Sequence, residues 1–265
     1  MPPAPPSPPL SYTTAPALLP YTLRFHPYNP SAAAPDVYHT HRLCVGAAVL
    51  SLPPSPSPSN PPRILILRRS TQEKALPNRW ELPGGAAESI DGDSLAAAAR
   101  ELWEETGLRA KRFVALVGSY QWEGMGAGVT ATPVPGDQAW ALPKGGVGIV
   151  ESATAGVTTA AGAEDAGGQE ASKGTVAEAG LATEKDSHKV AKGRDAWRKY
   201  TYLVEVETPA DRDVEIVIDP EEHNACVWAR EEEVRAGRVG DVVLEWTSET
   251  QKLDVLRAFE MAKKY

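Results

Sequence analysis

Three glutamates crowded near the end of one helix, Glu101, Glu104 and Glu105, constrain this chain more than any other feature. The helix itself is well signalled. Asp91, Asp93 and Ser94 stand where an N-cap belongs, four alanines and Leu95 follow as strong helix formers, and Gly107 supplies a left-handed end. At about 100° per residue, Leu95, Ala98, Ala99 and Leu102 form one apolar stripe, and the three glutamates share an arc on another side. Like charges at these spacings repel by a few tenths of a kcal/mol each. They also occupy the last turns, where the macrodipole disfavours an anion by about 0.3–1 kcal/mol. Arg100 alone can relieve them, reaching Glu104 at i+4. A solvated charged face is the usual outcome of a glutamate run, but here the run follows Gly84-Gly85 and an arginine. Such a cluster of hard oxygen donors suits a hard cation, Mg²⁺ or Mn²⁺.

Read from Trp80, the chain runs Trp80-Glu81-Leu82-Pro83-Gly84-Gly85, then a loop, then Arg100-Glu101-Leu102-Trp103-Glu104-Glu105-Thr106-Gly107-Leu108. This segment resembles the box of the Nudix hydrolase family, G-x5-E-x7-R-E-U-x-E-E-x-G-U, where U is apolar. Every specified position from Arg100 to Leu108 matches, and Gly85 matches the opening glycine. The middle departs from the pattern. Asp91 stands where the first glutamate is expected, with one extra residue before Arg100; counted back from Arg100, Gly92 takes that slot with Asp93 beside it.

The resemblance implies an α/β fold, a Nudix-type α/β/α sandwich with a mixed sheet, here carrying a long low-complexity insertion. It also implies Mg²⁺ (or Mn²⁺) held by Glu101, Glu104 and Glu105 with the backbone carbonyl near Gly85, Arg100 orienting Glu104, and Glu101 or Glu222 accepting a proton from water. The implied reaction is hydrolysis of the diphosphate linkage in a nucleoside diphosphate joined to another moiety. The rival is a catalytically weak Nudix-fold module that binds a nucleotide or a protein. An isoprenoid diphosphate isomerase on this fold would need a cysteine in a Trp-Thr-Asn-type context, which is absent. An RNA-decapping role would call for a basic track, and the net charge is −8.

At 265 residues the chain can hold one large or two small domains. Two cysteines, Cys44 and Cys226, exclude a disulfide framework and point to a reducing, cytoplasmic or nuclear compartment. No apolar run reaches the length of a membrane span, and no secretory signal is evident. Residues 1–37 are proline-rich and read as a disordered segment, with order starting near Tyr38. Arg24 is their lone basic residue and the prolines forbid an amphipathic helix, which argues against mitochondrial import.

The body, 38–265, reads as one Nudix domain. Strands are expected at Arg42–Leu52, Arg63–Arg68, Phe113–Gln121, Tyr200–Val206, Val214–Ile218 and Ala225–Trp228. Arg68, Arg69 and Lys74 precede the Gly-Gly loop, where a cation could hold substrate phosphate, although taken singly each reads more readily as solubilising strand-end charge. Trp122, after Tyr120, could stack on a base or simply cover a strand edge. His39 and His41 are two apart but have no third ligand near them. Residues 124–195 lack periodicity and read as a disordered insertion; Lys144-Gly145-Gly146 lacks the order of a phosphate loop. Glu222, in the turn Asp219–His223, is the best further acid, with His223 behind it. A closing helix over 248–264 is capped at Ser248-Glu249-Thr250-Gln251, with Leu253, Leu256 and Phe259 as its docking stripe.

Overall fold

A computed structural model of the chain describes residues 11–29, 40–52, 60–123, 132–133, 196–208 and 215–264. All of them fall in one compact unit. The strands are β1 (Thr13–Thr14), β2 (Arg42–Ser51), β3 (Arg63–Arg69), β4 (Trp80–Glu81), β5 (Ala110–Glu123), β6 (Thr132–Pro133), β7 (Ala196–Val206) and β8 (His223–Arg230), with a small hairpin of β9 (Arg238–Val239) and β10 (Val242–Val243). The helices are α1 (Ser94–Thr106), α2 (Glu231–Ala236) and α3 (Glu249–Ala262).

The main sheet runs β1-β5-β7-β2-β3-β4, with β6 on β5 and β8 on β3. It is mixed: β1–β5 and β2–β7 are parallel pairs, and the other pairs are antiparallel. β2 is apolar along its length because both faces are covered. Leu43, Val45, Ala47 and Val49 enter the core shared with α1, while Ala48 and Leu50 meet the core under α3. Helix, sheet and helix thus form the expected three layers.

β2 and β3 touch only at Leu50–Ile64 and Ser51–Arg63, and then part. The wedge between them is filled from both sides. β4 lies on β3, with Glu81 opposite Leu67. The following loop lies on β2, where Ala47 N–H donates to the Pro83 carbonyl (2.8 Å), Val45 N–H to the Gly85 carbonyl (2.9 Å), and Ala87 N–H to the Leu43 carbonyl (2.9 Å). The Gly-Gly loop is therefore bonded along β2 like a short strand.

α1 begins as its sequence dictates. Asp93 Oδ1 accepts from the N–H groups of Leu95 and Ala96, both at 2.9 Å, and Gly107 ends the helix at φ 71°. α3 departs from expectation. Ser248 Oγ accepts from Gln251 N–H at 3.0 Å, but the Gln251 side chain does not close a capping box; it accepts instead from Lys199 Nζ at 2.8 Å. The helix buries Gln251, Asp254, Val255, Ala258 and Phe259, leaving Leu253 and Leu256 half-buried. The sheet face below explains the rotation: Thr201 Oγ1 donates to Asp254 Oδ2 at 2.6 Å. Gly118 makes room for that acid, since a Cβ there would stand 2.2 Å from Asp254 Oδ1.

Three expectations need correction. Residues 11–29 are not a disordered lead-in. β1 pairs with β5, a 3-10 helix spans Pro16–Tyr21, and Leu18 is 1% exposed in the α1 core. This segment then straps the start of α1: Leu23 N–H donates to Ser94 Oγ (2.9 Å), Ser94 N–H donates to the Leu23 carbonyl (2.8 Å), and the Tyr202 hydroxyl lies 2.8 Å from Ser94 Oγ. Its proline content concealed a few apolar anchors. Residues 215–218 form no strand; Val217 N–H caps the last turn of α1 by donating to the Thr106 carbonyl at 2.9 Å. Thr132–Pro133, inside the presumed insertion, pairs with Gln121 and Tyr120. The remainder of 124–195, together with 1–10, 30–39 and His39, lies outside the described residues.

Leu18→Ala tests the strap. Truncating a buried leucine costs about 2–5 kcal/mol, so the urea midpoint should fall markedly, whereas a disordered lead-in would leave it unchanged.

Candidate functional site

Arg100 organises the site. Its Nε and Nη2 grip Asp91 Oδ1 and Oδ2 at 2.8 and 3.0 Å, Nη1 holds Glu104 Oε2 at 2.7 Å, and Nη2 also reaches Glu101 Oε1 at 2.8 Å and the Ala86 carbonyl at 3.0 Å. The register ambiguity of the sequence is thereby resolved. Asp91 is the acid paired with the arginine, and Asp93 is the helix cap. The extra residue is taken up at Gly92, which turns with φ 76° and has open space around it.

Both loop glycines make close approaches, and Gly84 is the more constrained. Gly84 has φ 143°, and a Cβ there would stand 2.2 Å from the Val45 carbonyl oxygen. Gly85 lies against the Glu101 carboxylate, where a Cβ would meet Oε2 at 2.8 Å. The Gly84 N–H donates to Glu105 Oε2 at 2.7 Å. Loop backbone and helix acids therefore share one surface.

A second layer of charge lies toward β3, β4 and β8. Arg69 Nη1 holds Glu81 Oε1 at 2.7 Å, and Nη2 holds Glu73 at 2.5 Å. His223 lies between two acids, Nε2 3.5 Å from Glu81 Oε1 and Nδ1 3.9 Å from Glu105 Oε1. Glu222 is exposed beside it, and one ligand atom from each of Glu105, Glu222 and His223 lies within 4.8 Å of the others.

The electrostatics divide the acids. Burial, reinforced by Glu81 and Glu101, pushes the Glu105 carboxyl well above its usual range, with the Gly84 N–H in opposition. Burial also outweighs Arg100 and, with Glu104 and Glu222, pushes Glu101 up to about 7. Glu222 is raised by burial and by Asp219. Burial acts in the same direction on Glu81, but His223 and Arg69 outweigh it and hold that carboxyl below the usual range. Buried carboxylates raised by their neighbours, beside a histidine whose ring nitrogens make no hydrogen bond among the described residues, are a donor set that fits a divalent cation.

The expected residues fall into three groups. Glu101, Glu104, Glu105, Arg100 and Gly85 converge as anticipated, and Glu222 joins them through its turn. Trp122 lies on the α3 face, its ring stacked on Trp197 at 6.1 Å between centroids, with the Arg42 guanidinium 5.5 Å over Trp197. Arg68 stands apart from the acids: its Nε donates to Asn224 Oδ1 at 2.7 Å and its guanidinium lies 5.7 Å over the Trp80 ring. Glu81 escaped the sequence reading. Its signal was an acid on a two-residue strand directly before the Gly-Gly loop, between the buried Trp80 and Leu82.

Glu101 carries a pH dependence. Its folded pKa, about 7, exceeds the ordinary 4.5, so the folded chain binds this proton more tightly than the unfolded chain. In chelator the contribution to stability is greatest below about 4.5 and is lost as pH rises through about 7. Urea unfolding at pH 5 and pH 8 should show that loss, and Glu101→Gln should reduce it; a gain in stability over this range that Glu101→Gln abolishes would contradict the assignment.

Residues 57–138 match the NUDIX domain model. The m7GpppN-mRNA hydrolase NUDT17 of Bos taurus is 36% identical over 81 residues, 31% of this chain and 24% of that protein; its Homo sapiens counterpart is 35% identical over 81 residues and 22% of its length. The chain thus spans about a quarter of the length of these curated relatives. Among solved structures, the MutT protein of Methanosarcina mazei Go1 aligns with a TM-score of 0.40 and 15% identity, covering 85% of this chain and 96% of that one. A C. elegans Ap4A hydrolase aligns with a TM-score of 0.40 and 12% identity, covering 84% and 98%. The NUDIX domain model thus matches across the signature segment that folds around Arg100 and the two loop glycines, and residues 57–138 of the chain are similar to a Nudix domain.

Proposed function

We propose that this chain hydrolyses the diphosphate linkage of a nucleoside diphosphate joined to another moiety, with a divalent cation, Mg²⁺ or Mn²⁺, as cofactor. The observation that carries this reading is the set of helix acids, Glu101, Glu104 and Glu105, held against the Gly84–Gly85 backbone by Arg100 and the Gly84 N–H. Glu104 and Glu105, with the Gly85 carbonyl, would hold the cation. That carbonyl already accepts from Val45 N–H, which fixes its direction and leaves a second lone pair. When bound, the cation supplies Lewis acidity, neutralising diphosphate oxygens and making water a better acid.

The protein's own groups do the rest. Arg100 fixes Glu104 and Oε1 of Glu101, while the whole Glu101 carboxylate lies against Gly85. With its carboxyl raised to about 7, Glu101 can take a proton at Oε2 from the attacking water near neutral pH. Water attacks phosphorus in line, the P–O bond to the bridging oxygen breaks, and the leaving phosphate departs. Glu222, exposed beside Glu105 and His223, adds a further carboxylate to the site. The Trp122–Trp197 pair offers a flat face on which a base can stack. Arg68, on the β3 side, is a candidate contact for the substrate's outer charge.

The NUDT17 relatives are named as hydrolases of m7GpppN-mRNA. A capped dinucleotide therefore belongs in the substrate panel beside ADP-ribose, dinucleoside polyphosphates, oxidised nucleoside triphosphates and coenzyme A. The acidic balance of −8 favours such a small substrate over stable binding to a long nucleic acid. Both cysteines are free, in keeping with a reducing, cytoplasmic setting.

Release of phosphate or nucleoside monophosphate from this panel with Mg²⁺ is the test. Glu104→Gln and Glu105→Gln should each lower turnover by about a hundredfold or more, as expected on losing a charged group that acts in the transition state, with the fold retained by circular dichroism. Unchanged turnover in both variants sinks the assignment. Tight nucleotide binding by the wild-type chain with no product after long incubation decides for a binding module. Trp122→Ala should raise KM more than it lowers kcat.

A further inference from the structure

His223 is a buried imidazole set between two carboxylates, Glu81 and Glu105. It opens β8, is 1% exposed, and neither ring nitrogen makes a hydrogen bond among the described residues. Its approaches to Glu81 and Glu105, 3.5 and 3.9 Å, exceed hydrogen-bond length. A buried polar group left without a partner costs about 1–3 kcal/mol. The backbone nonetheless fixes the ring there: His223 N–H donates to the Asp219 carbonyl at 2.8 Å, and the Glu222 carbonyl accepts from Ser70 N–H at 2.7 Å.

The surroundings have the form of a ligand set. One carboxylate oxygen from each of Glu105 and Glu222 and one His223 nitrogen lie within 4.8 Å of one another. Two bonds of about 2.0–2.2 Å span at most about 4.4 Å, so a small inward movement closes them on one ion. Behind the ring, Glu81 faces Nε2 and is anchored by Arg69 at 2.7 Å. A carboxylate behind an imidazole fixes the proton on that nitrogen and directs the lone pair of the other outward. Here the other nitrogen, Nδ1, faces Glu105.

We propose that Glu105, Glu222 and His223 Nδ1 form a mixed nitrogen–oxygen site that takes a borderline transition-metal ion, Zn²⁺ or Co²⁺, in preference to Mg²⁺. Mg²⁺ keeps to oxygen ligands in near-octahedral array, whereas imidazole nitrogen favours the later first-row ions. Glu81 is a positioning residue in this arrangement. The site rests on the hydrolase reading in sharing Glu105 and Glu222, and occupancy by such an ion would compete with the Mg²⁺-loaded state at Glu105.

The experiment uses the full chain stripped with chelator and titrated with Co²⁺ alone, read by visible ligand-field absorption and calorimetry. The expected result is one Co²⁺ held with a band characteristic of nitrogen coordination, and at least about a tenfold loss of affinity in His223→Ala, with less change in Mg²⁺ affinity. Because His223→Ala could disturb the fold, a second measurement uses wild-type protein: Zn²⁺ should shift the His223 Nδ1 resonance in ¹⁵N spectra of the imidazole. Unchanged Co²⁺ affinity in a folded His223→Ala variant, or a resonance that Zn²⁺ does not move, overturns the site. A chain that cleaves nucleotides with Mg²⁺ but shows no imidazole shift keeps the hydrolase reading and loses this one. A chain that binds Co²⁺ through His223 and cleaves nothing does the reverse.

Discussion

A single guanidinium sets the charge balance of this protein. Arg100 touches Asp91, Glu101, Glu104 and the Ala86 carbonyl, which ties the loop, the helix and the strand β2 alongside into one unit. Charge-assisted bonds of this kind are roughly twice as strong as neutral ones, and the group making them is itself only slightly exposed. Arg100 also sorts the acids. It pairs directly with Asp91, Glu101 and Glu104, whereas Glu105 takes a hydrogen bond from the Gly84 N–H and lies 3.9 Å from His223 Nδ1. Burial, with Glu81 and Glu101 close by, raises the Glu105 carboxyl well above its usual range.

The sheet supplies the place for this arrangement. Had β2 and β3 paired along their whole length, the Gly-Gly loop would have had no edge on which to lie. Because they meet at only two residue pairs, the freed β2 edge bonds Pro83, Gly85 and Ala87 in turn. The steric needs of Gly84 and Gly85 follow directly: one passes the Val45 carbonyl, the other the Glu101 carboxylate, and neither has room for a methyl group. On the opposite face, Gly118 does the same for Asp254. Backbone approach, more than conformational freedom alone, decides these positions.

Much of this was legible in the sequence where a local pattern carried it. The α1 helix, its end at Gly107 and the apolar strands β2, β3, β5 and β7 follow from periodicity and composition. The convergence of Glu101, Glu104, Glu105 and Arg100 follows from helical spacing. What remained hidden depends on contacts between distant segments. Asp91 and Asp93 could not be told apart until the turn at Gly92 showed which one faces Arg100. Glu81 reads as an ordinary strand residue until Arg69 and His223 are brought to it across β3 and β8. The N-terminal segment looked disordered because prolines outnumber its anchors, yet Leu18, Leu23 and Tyr21 suffice to dock it. The face of α3 was misjudged because its sheet-side neighbours, Lys199 and Thr201, are polar and draw Gln251 and Asp254 inward.

The strap across the start of α1 has a kinetic consequence. Ser94, the first residue of the acid-bearing helix, is bonded to Leu23, 71 residues earlier, and to Tyr202, 108 residues later. Closing loops of that length costs chain entropy before any contact repays it, and topologies rich in such contacts fold slowly. The helix can form early from its alanines, but its first turn cannot be fixed until both ends of the chain have arrived. The start of the acid-bearing helix is therefore held by the closure of the molecule as a whole and not by its signature segment alone.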